Sequence, residues 1–202
     1  MKPTVAVALT GASGMPYGLR LVESLIRAEA RVYLLYSQAA HVVAKQELEI
    51  VLPSRASDAE RMFSERYSAK RGQLRVFGRE DWFAPVASGS NPPDAMVICP
   101  CTVGTLAAVA AGLSDTLIER AADVTLKEGR KLILVPRETP LSLVHLRNLT
   151  LATEAGAIVL PAMPGFYHKP SKVSELVDFV VQRILDHLGL DIALTKRWEG
   201  GG

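Results

Sequence analysis

The sequence predicts an α/β fold, a three-layer sandwich in which helices cover both faces of a Rossmann-like, doubly wound parallel sheet of about six strands. Short apolar runs alternate with segments of helical periodicity along the whole chain. The first run, Thr4 to Leu9, is almost continuously apolar, as expected of a parallel strand buried on both faces. Glycines at 11, 14 and 18 follow it and indicate a tight strand-to-helix turn. We expect residues 1–202 to form one domain, with a tail from about residue 189.

The composition is that of an ordinary globular protein. Of 202 residues, 49% are apolar, and 23 Lys and Arg against 21 Asp and Glu leave a net charge of +2. This balance excludes a nucleic-acid surface built on excess basic charge. No apolar run reaches the roughly 18 residues of a membrane span, and the start suits no signal peptide, so we expect a cytoplasmic protein. Cys99 and Cys101 are too close for a disulfide framework or a zinc site and are expected to be buried thiols.

The remaining elements follow from periodicity and turn residues. Helical spacing of Leu19, Val22, Leu25 and Ile26 predicts the first helix. The next predicted elements are a strand at 31–36, a helix at 38–49, a charged helical region at 54–72, a short strand at 74–77 and a loop at 88–93. They are followed by a strand at 95–99, an Ala-rich helix from 106, a helix at 116–128 and a strand at 131–135.

Two helix starts are predicted in the last third of the chain. Thr139 is the expected N-cap of one helix, with Pro140 at its first position. A final strand is expected at 157–160. Ser171 should then cap a long helix to about Leu188, whose apolar stripe is Val173, Leu176, Val177, Val180, Ile184 and Leu188.

Polar and small residues come directly after the predicted strands. They are Gly11–Gly14, Ser37, Thr102–Thr105, Arg137, Glu138 and Tyr167. Ligands of such folds bind outside the carboxyl ends of the strands, so this edge is the expected binding site. The helix after the glycine turn should present free N–H groups to an anion, and the second turn, at 100–105, should do the same. Ser37 stands where a dinucleotide-binding fold would carry an acid for the ribose, which favours a phosphate instead.

Several motifs resemble those of the flavin prenyltransferases of the UbiX type over nearly the full length. They are Gly11-Ala12-Ser13-Gly14 with Tyr17-Gly18, Ser88-Gly89-Ser90, Pro100-Cys101, Arg120-Ala121-Ala122-Asp123-Val124 through Leu126-Lys127-Glu128, Pro136-Arg137-Glu138-Thr139-Pro140-Leu141, Pro164 with Phe166-Tyr167, and Arg197-Trp198. The segments around Arg120 and Arg137 are the specific ones.

The resemblance implies a single flavin-binding domain that joins a dimethylallyl group from dimethylallyl monophosphate to reduced FMN, without a metal. It implies that FMN is held by Gly11, Ala12, Ser13, Ser37, Thr102, Val103, Gly104, Thr105 and Arg137. The prenyl phosphate would be bound by Arg120, Lys127, Tyr167 and Arg183, and proton chemistry would be carried by Ser13, Glu47 and Glu138. A homo-oligomer and a UbiD-type decarboxylase that receives the product are further expectations. Relatives often carry Ser at Thr102 and Lys at Gly104, so the flavin contacts there can differ.

Simpler interpretations of these residues stand beside the functional ones. Glu138 suits a helix-start carboxylate stabilised by the helix dipole, and Ser13 suits a turn residue. Arg120 and Lys127, seven residues apart, suit a solvated helix face, and Arg183 suits a side chain that extends past an apolar stripe. A carboxylate near a helix end, such as Glu47, is usually just solvated. The four histidines show no paired metal spacing and suit surface or helix-end roles.

Three other functions are compatible with parts of the sequence. An FMN-dependent decarboxylase of the cysteine-peptide or pantothenoyl-cysteine type would need an early catalytic His, but the first histidine is His41, and its Asn-containing Pro-Ala-Ser segment is replaced by residues 100–105. A short-chain reductase would need Tyr and Lys four residues apart, a spacing that no tyrosine here has. A flavin carrier without catalysis remains open.

Overall fold

A six-stranded, all-parallel sheet forms the centre of the computed structural model, which describes residues 2–195. The strand order is β3-β2-β1-β4-β5-β6, in which the chain starts in the middle and winds outward in both directions. The strands are β1 Thr4–Leu9, β2 Arg31–Tyr36, β3 Leu74–Val76, β4 Ala95–Cys101, β5 Lys131–Pro136 and β6 Ile158–Val159. The predicted three-layer α/β sandwich is therefore confirmed.

Helices cover both faces of the sheet. They are α1 Met15–Arg27, α2 Gln38–Leu48, α3 Ala56–Tyr67, α4 Val103–Ala110, α5 Leu117–Lys127, α6 Leu143–Glu154 and α7 Val173–Leu188, with a 3₁₀ turn at Pro85–Ala87. Helices α1, α2, α3 and α7 pack into one apolar cluster, whereas α4, α5, α6 and the 3₁₀ turn pack into another. Alternate residues of a strand belong to different clusters: Val5 and Val7 face the first cluster, and Ala6 and Ala8 face the second. The sheet thus separates α5 from α7.

Three helix starts differ from the sequence-based expectation. Helix α4 begins at Val103 rather than Leu106, because the Thr102 hydroxyl accepts from the Thr105 N–H and caps the helix. Helix α6 begins at Leu143 rather than Pro140, because Ser142 and His145 form the capping box and Thr139 caps nothing. Ser171 does not cap α7, because its own N–H and hydroxyl donate to Glu175.

The carboxyl-terminal part of the apolar stripe on α7 is buried, but its first residue is not. Val180 and Ile184 lie in the core, whereas Val173 is 75% exposed. After α7 the chain folds back, and the Gln182 side chain bonds to the backbone of Ile192 and Leu194. The expected tail from about 189 is therefore packed on α7 as far as it is described, and Arg197 and Trp198 lie outside the described residues.

Candidate functional site

The glycine turn depends on close contacts at two of its glycines. A Cβ on Gly11 would lie 2.3 Å from the Cβ of Ala39, so the turn packs directly on the start of α2. A Cβ on Gly18 would lie 2.3 Å from the Cys99 carbonyl oxygen, so α1 packs directly on β4. Gly14, at φ 116°, has a backbone conformation that other residues rarely adopt. The glycines therefore bring the first turn against β4 and α2.

The amino end of α1 is already occupied by a carboxylate, contrary to the expectation that it is free to bind an anion. Both Glu47 carboxylate oxygens accept from the Gly14 N–H at 3.1 Å, and one also accepts from the Met15 N–H at 2.9 Å. Pro16 has no N–H, and the Tyr17 N–H donates to the Gly14 carbonyl. Because Glu47 satisfies this helix end, an anion has to bind elsewhere in the turn.

The turn residues just before α1 do offer free donors. Within residues 2–195, the backbone N–H groups of Gly11, Ala12 and Ser13 make no hydrogen bond. Successive free amides of this kind form an anion-binding concavity. Arg137 reaches the same turn from the end of β5, where its Nε donates to the Ser13 carbonyl at 3.3 Å. The turn therefore combines three amides with one guanidinium.

The second turn lies beside the first and is joined to it through Thr10. The Thr10 hydroxyl accepts from the Thr102 N–H at 2.9 Å. Thr102 then accepts from the Thr105 N–H and donates to the Thr105 hydroxyl at 2.9 Å. Ser37, the side-chain cap of α2, lines a cleft of about 120 Å³ together with Thr105. The ends of β1, β2 and β4 therefore meet at one site.

A small cavity lies at the ends of β4, β5 and β6. It measures about 70 Å³ and is lined by Val103, Arg137 and Glu138 together with apolar side chains that include Leu106, Leu149 and Met163. Glu138 is half-buried, and its carboxylate accepts from the Thr139 N–H at 3.1 Å. A carboxylate beside an apolar cavity can exchange protons with a bound molecule. We call the residues that meet here the turn cluster: Gly11–Ser13, Ser37, Thr102–Thr105, Arg137 and Glu138.

Arg120 and Lys127, the α5 pair, lie against the loop that precedes β4. The Arg120 Nε donates to the Ala87 carbonyl at 3.1 Å, and its Nη1 contacts Asp123 at 2.8 Å. Lys127 forms an ion pair with Glu128 beside Gly89. The loop 87–90 therefore packs along α5.

Tyr167 and Arg183, the α7 pair, are on the other side of the sheet. The Tyr167 ring meets Phe179 of α7 edge to face, with centroids 5.7 Å apart, and Arg183 follows Phe179 by one helical turn. Arg183 is exposed and bonds to Asp186 at 3.2 Å. Because α5 and α7 pack on opposite faces of the sheet, one chain does not bring the four expected phosphate ligands together.

Two residues that the sequence did not single out stand out in the structure. Thr10 is 1% exposed and bonds both turns, a role that only the contact between β1 and β4 reveals. His168 was expected to have a surface or helix-end role, but both of its ring nitrogens are buried without a hydrogen-bond partner among residues 2–195, and its ring stacks on Phe179. The only feature of the sequence that could have pointed to His168 is its position next to Tyr167, a proposed phosphate ligand.

The cysteines and the potential metal ligands offer no further reactive site within the part of the chain that the structure describes. Both cysteines are buried and unpaired, as expected, and burial raises the pKa of the Cys101 thiol to about 12 and raises that of Cys99 as well. Among the described residues, no three His, Cys, Asp or Glu side chains cluster closely enough to hold a metal ion. The helices within 2–195 include none with the length and apolar character needed to cross a membrane.

Comparison with known proteins identifies the family. The family model described as Flavoprotein matches residues 1–185. The flavin prenyltransferase UbiX of Pseudomonas aeruginosa is 52% identical over 194 residues, which are 96% of this chain and 93% of that relative.

Solved structures agree with this assignment. AnUbiX (PadA1), crystallised with FMN and dimethylallyl pyrophosphate, has a TM-score of 0.88 and 38% identity over 100% of both chains. A dodecameric FMN-dependent UbiX-like decarboxylase from Escherichia coli O157:H7 has a TM-score of 0.85 and 36% identity over 98% of this chain and 100% of that chain. This chain therefore belongs to the flavoprotein family and, within it, to the UbiX-type flavin prenyltransferases.

Proposed function

We propose that this protein is a flavin prenyltransferase that transfers a dimethylallyl group from dimethylallyl monophosphate to reduced FMN. The observation that carries the proposal is the turn cluster, in which free amides, a guanidinium and a half-buried carboxylate surround one edge of the sheet. In the reaction, the bond between the prenyl carbon and phosphate breaks, the prenyl group becomes bonded to the flavin in a fourth ring, and phosphate leaves.

The turn cluster fits FMN. The amides of Gly11, Ala12 and Ser13 would bind the FMN phosphate. Arg137, which within residues 2–195 is engaged through Nε alone, would add a charge-assisted bond from its terminal nitrogens. Ser37 and Thr105 line the neighbouring cleft and would contact the rest of the cofactor with Thr102, Val103 and Gly104. When bound, reduced FMN supplies the nucleophile of the reaction.

Glu138 is the proposed base. Its carboxylate borders the apolar cavity at the end of β5, where the prenyl group and the flavin ring would meet. It would accept a proton that the flavin loses on alkylation, and Ser13, at the exposed side of the turn, would assist the proton transfer. Glu47 was expected to share this proton chemistry. Its bonds to Gly14 and Met15 support a role in holding the turn from which Ser13 projects.

The prenyl phosphate site is proposed to form between subunits of a homo-oligomer. The α5 pair and the α7 pair provide the cationic and hydroxyl donors that a monophosphate leaving group needs, but they lie on opposite faces of one chain. Helix α6 also exposes Leu143, Val144, Leu146 and Leu151, an apolar surface suited to a second copy. The dodecameric state of the Escherichia coli relative agrees with this arrangement.

We further propose a cytoplasmic protein whose prenylated product serves a UbiD-type decarboxylase, and a reaction that requires no metal. The phosphate leaving group would be stabilised by Arg120, Lys127, Tyr167 and Arg183, which is the task that a divalent cation often performs. Turnover should therefore continue at the same rate in excess chelator. A chelator-sensitive rate that added metal restores would contradict this part of the proposal.

The deciding experiment is mass analysis of the flavin after anaerobic incubation of the protein with FMN, a reductant and dimethylallyl monophosphate. The expected product is FMN enlarged by one five-carbon unit. An unchanged flavin mass would refute the prenyltransferase and leave a flavin carrier or the decarboxylase suggested by the name of the Escherichia coli relative. Carbon dioxide release from a candidate acid by the FMN-loaded protein would then separate those two.

A further inference from the structure

Thr10 connects the two turns of the proposed flavin site. It directly follows β1 and is 1% exposed. Its hydroxyl donates to the Pro100 carbonyl at 2.7 Å and accepts from the Thr102 N–H at 2.9 Å, while its own N–H donates to the same carbonyl at 3.2 Å. The hydroxyl therefore acts as both donor and acceptor inside the protein.

These bonds lie beyond the end of the β1–β4 ladder. The register pairs of the two strands stop at Ala8 and Ile98, and β4 has an irregularity between Ile98 and Cys101. After that point the Thr10 side chain bridges the strands. Gly11 is the next residue on one side, and Thr102, the cap of α4, is the partner on the other. Thr10 thus links one turn to the other through its hydroxyl, which makes two of the three hydrogen bonds, and through its backbone N–H.

We infer that Thr10 is a positioning residue for FMN, which sets the distance between the amides of residues 11–13 and the hydroxyls of Thr102 and Thr105. The inference rests on the proposed function, because it matters only if one ligand contacts both turns. Thr10→Val keeps the side-chain shape but removes the acceptor of the Thr102 N–H and one of the two donors to the Pro100 carbonyl, at a residue that is 1% exposed. Thr10→Ser restores the hydroxyl and should restore the bonds.

The experiment compares FMN affinity, the visible absorption spectrum of bound FMN and thermal stability in four proteins: wild type, Thr10→Val, Thr10→Ser and Thr125→Val. Thr125 is the matched control, because it is also fully buried and its hydroxyl donates to the Ala121 carbonyl at 2.7 Å, away from both turns. Thr10→Val should weaken FMN binding about tenfold and shift the spectrum. Thr10→Ser should stay close to wild type, and Thr125→Val should lose stability but keep FMN affinity.

Wild-type FMN affinity and spectrum in Thr10→Val would overturn the inference, as would an equal loss of affinity in Thr125→Val. If Thr10→Val does not fold, Thr10→Ala, which adds no methyl group at the hydroxyl position, provides the same comparison with Thr10→Ser. Failure of wild type to bind FMN would refute the proposed function instead. If the wild type binds FMN and Thr10→Val binds it with the same affinity, only the role of Thr10 is refuted.

Discussion

The flavin side and the prenyl-phosphate side of the proposed site are built in different ways. The turn cluster is assembled within one chain, by strand ends that meet at the same edge of the sheet. The proposed phosphate ligands are divided between the α5 pair and the α7 pair, with the sheet between them. FMN binding should therefore be a property of each chain, whereas prenyl transfer should also depend on how chains assemble. The following predictions test that distinction.

The largest effect is expected at Glu138, the proposed base on the flavin side. Glu138→Gln keeps size and hydrogen bonding but removes the base, so turnover should fall about 100-fold or more. FMN affinity should remain within about twofold. Single-turnover kinetics with titrated FMN would measure both quantities. Wild-type turnover in Glu138→Gln would show that Glu138 is not the base and that its carboxylate only accepts a hydrogen bond from the Thr139 N–H.

The divided phosphate side predicts complementation between defective subunits. Lys127→Ala and Arg183→Ala should each reduce the use of dimethylallyl monophosphate about tenfold and spare FMN. When both variants are co-expressed, about one quarter of shared sites should combine two intact halves and raise the rate about threefold over either variant. Saturation curves for the prenyl phosphate, measured on mixed oligomers, would test this.

The matched control for complementation mixes Lys127→Ala with Arg120→Ala. Both changes lie on α5, so every α5 pair in the mixed oligomer lacks one cation and no rescue is expected. If both mixtures are rescued equally, or if neither mixture is rescued, the sites are not shared as proposed. Light scattering that detects only monomers would exclude sharing altogether.

A smaller effect is expected from steric changes confined to the flavin side. Gly11→Ala should weaken FMN binding about fivefold to tenfold, because the new Cβ would lie 2.3 Å from that of Ala39 and push the turn away from α2. Gly72→Ala is the control, because this glycine precedes β3, away from the turn cluster, and at φ 75° its Cβ would meet no atom within 4 Å, so the change should cost stability without altering the flavin site. Flavin fluorescence titration of both variants would measure the difference. Equal affinities would mean that the contact between the turn and α2 does not shape the flavin site.

The smallest effect is expected from thiol chemistry, although both cysteines lie in or next to the second turn. With the pKa of Cys101 near 12, only about one thiol in ten thousand would be ionised at pH 8, and burial blocks access as well. A thiol reagent should therefore leave FMN binding and turnover unchanged while the protein is folded. Labelling that proceeds at the rate of a free thiol, with loss of FMN, would contradict this picture.

Local sequence signals were sufficient wherever the physical cause is local. The helix predicted at 116–128 is present as α5, where Thr116 and Glu119 form a capping box, and the glycine turn lies where its spacing placed it. Helix α6 is one exception: Thr139 was the predicted cap, but Ser142, three residues later, makes the capping bond. Competing caps a few residues apart differ by little energy, so packing decides between them.

Apolar periodicity and turn residues were enough to predict the α/β class, the strands and the edge at which the turn cluster lies, because they report burial and chain reversal. Three features became visible only in the folded chain. Glu47 occupies the start of α1 from 33 residues away, Thr10 bonds residues 90 or more positions distant, and the α5 and α7 pairs face opposite sides of the sheet. These are long-range contacts. Periodicity predicts that a residue is buried, but it does not predict the residue against which it packs.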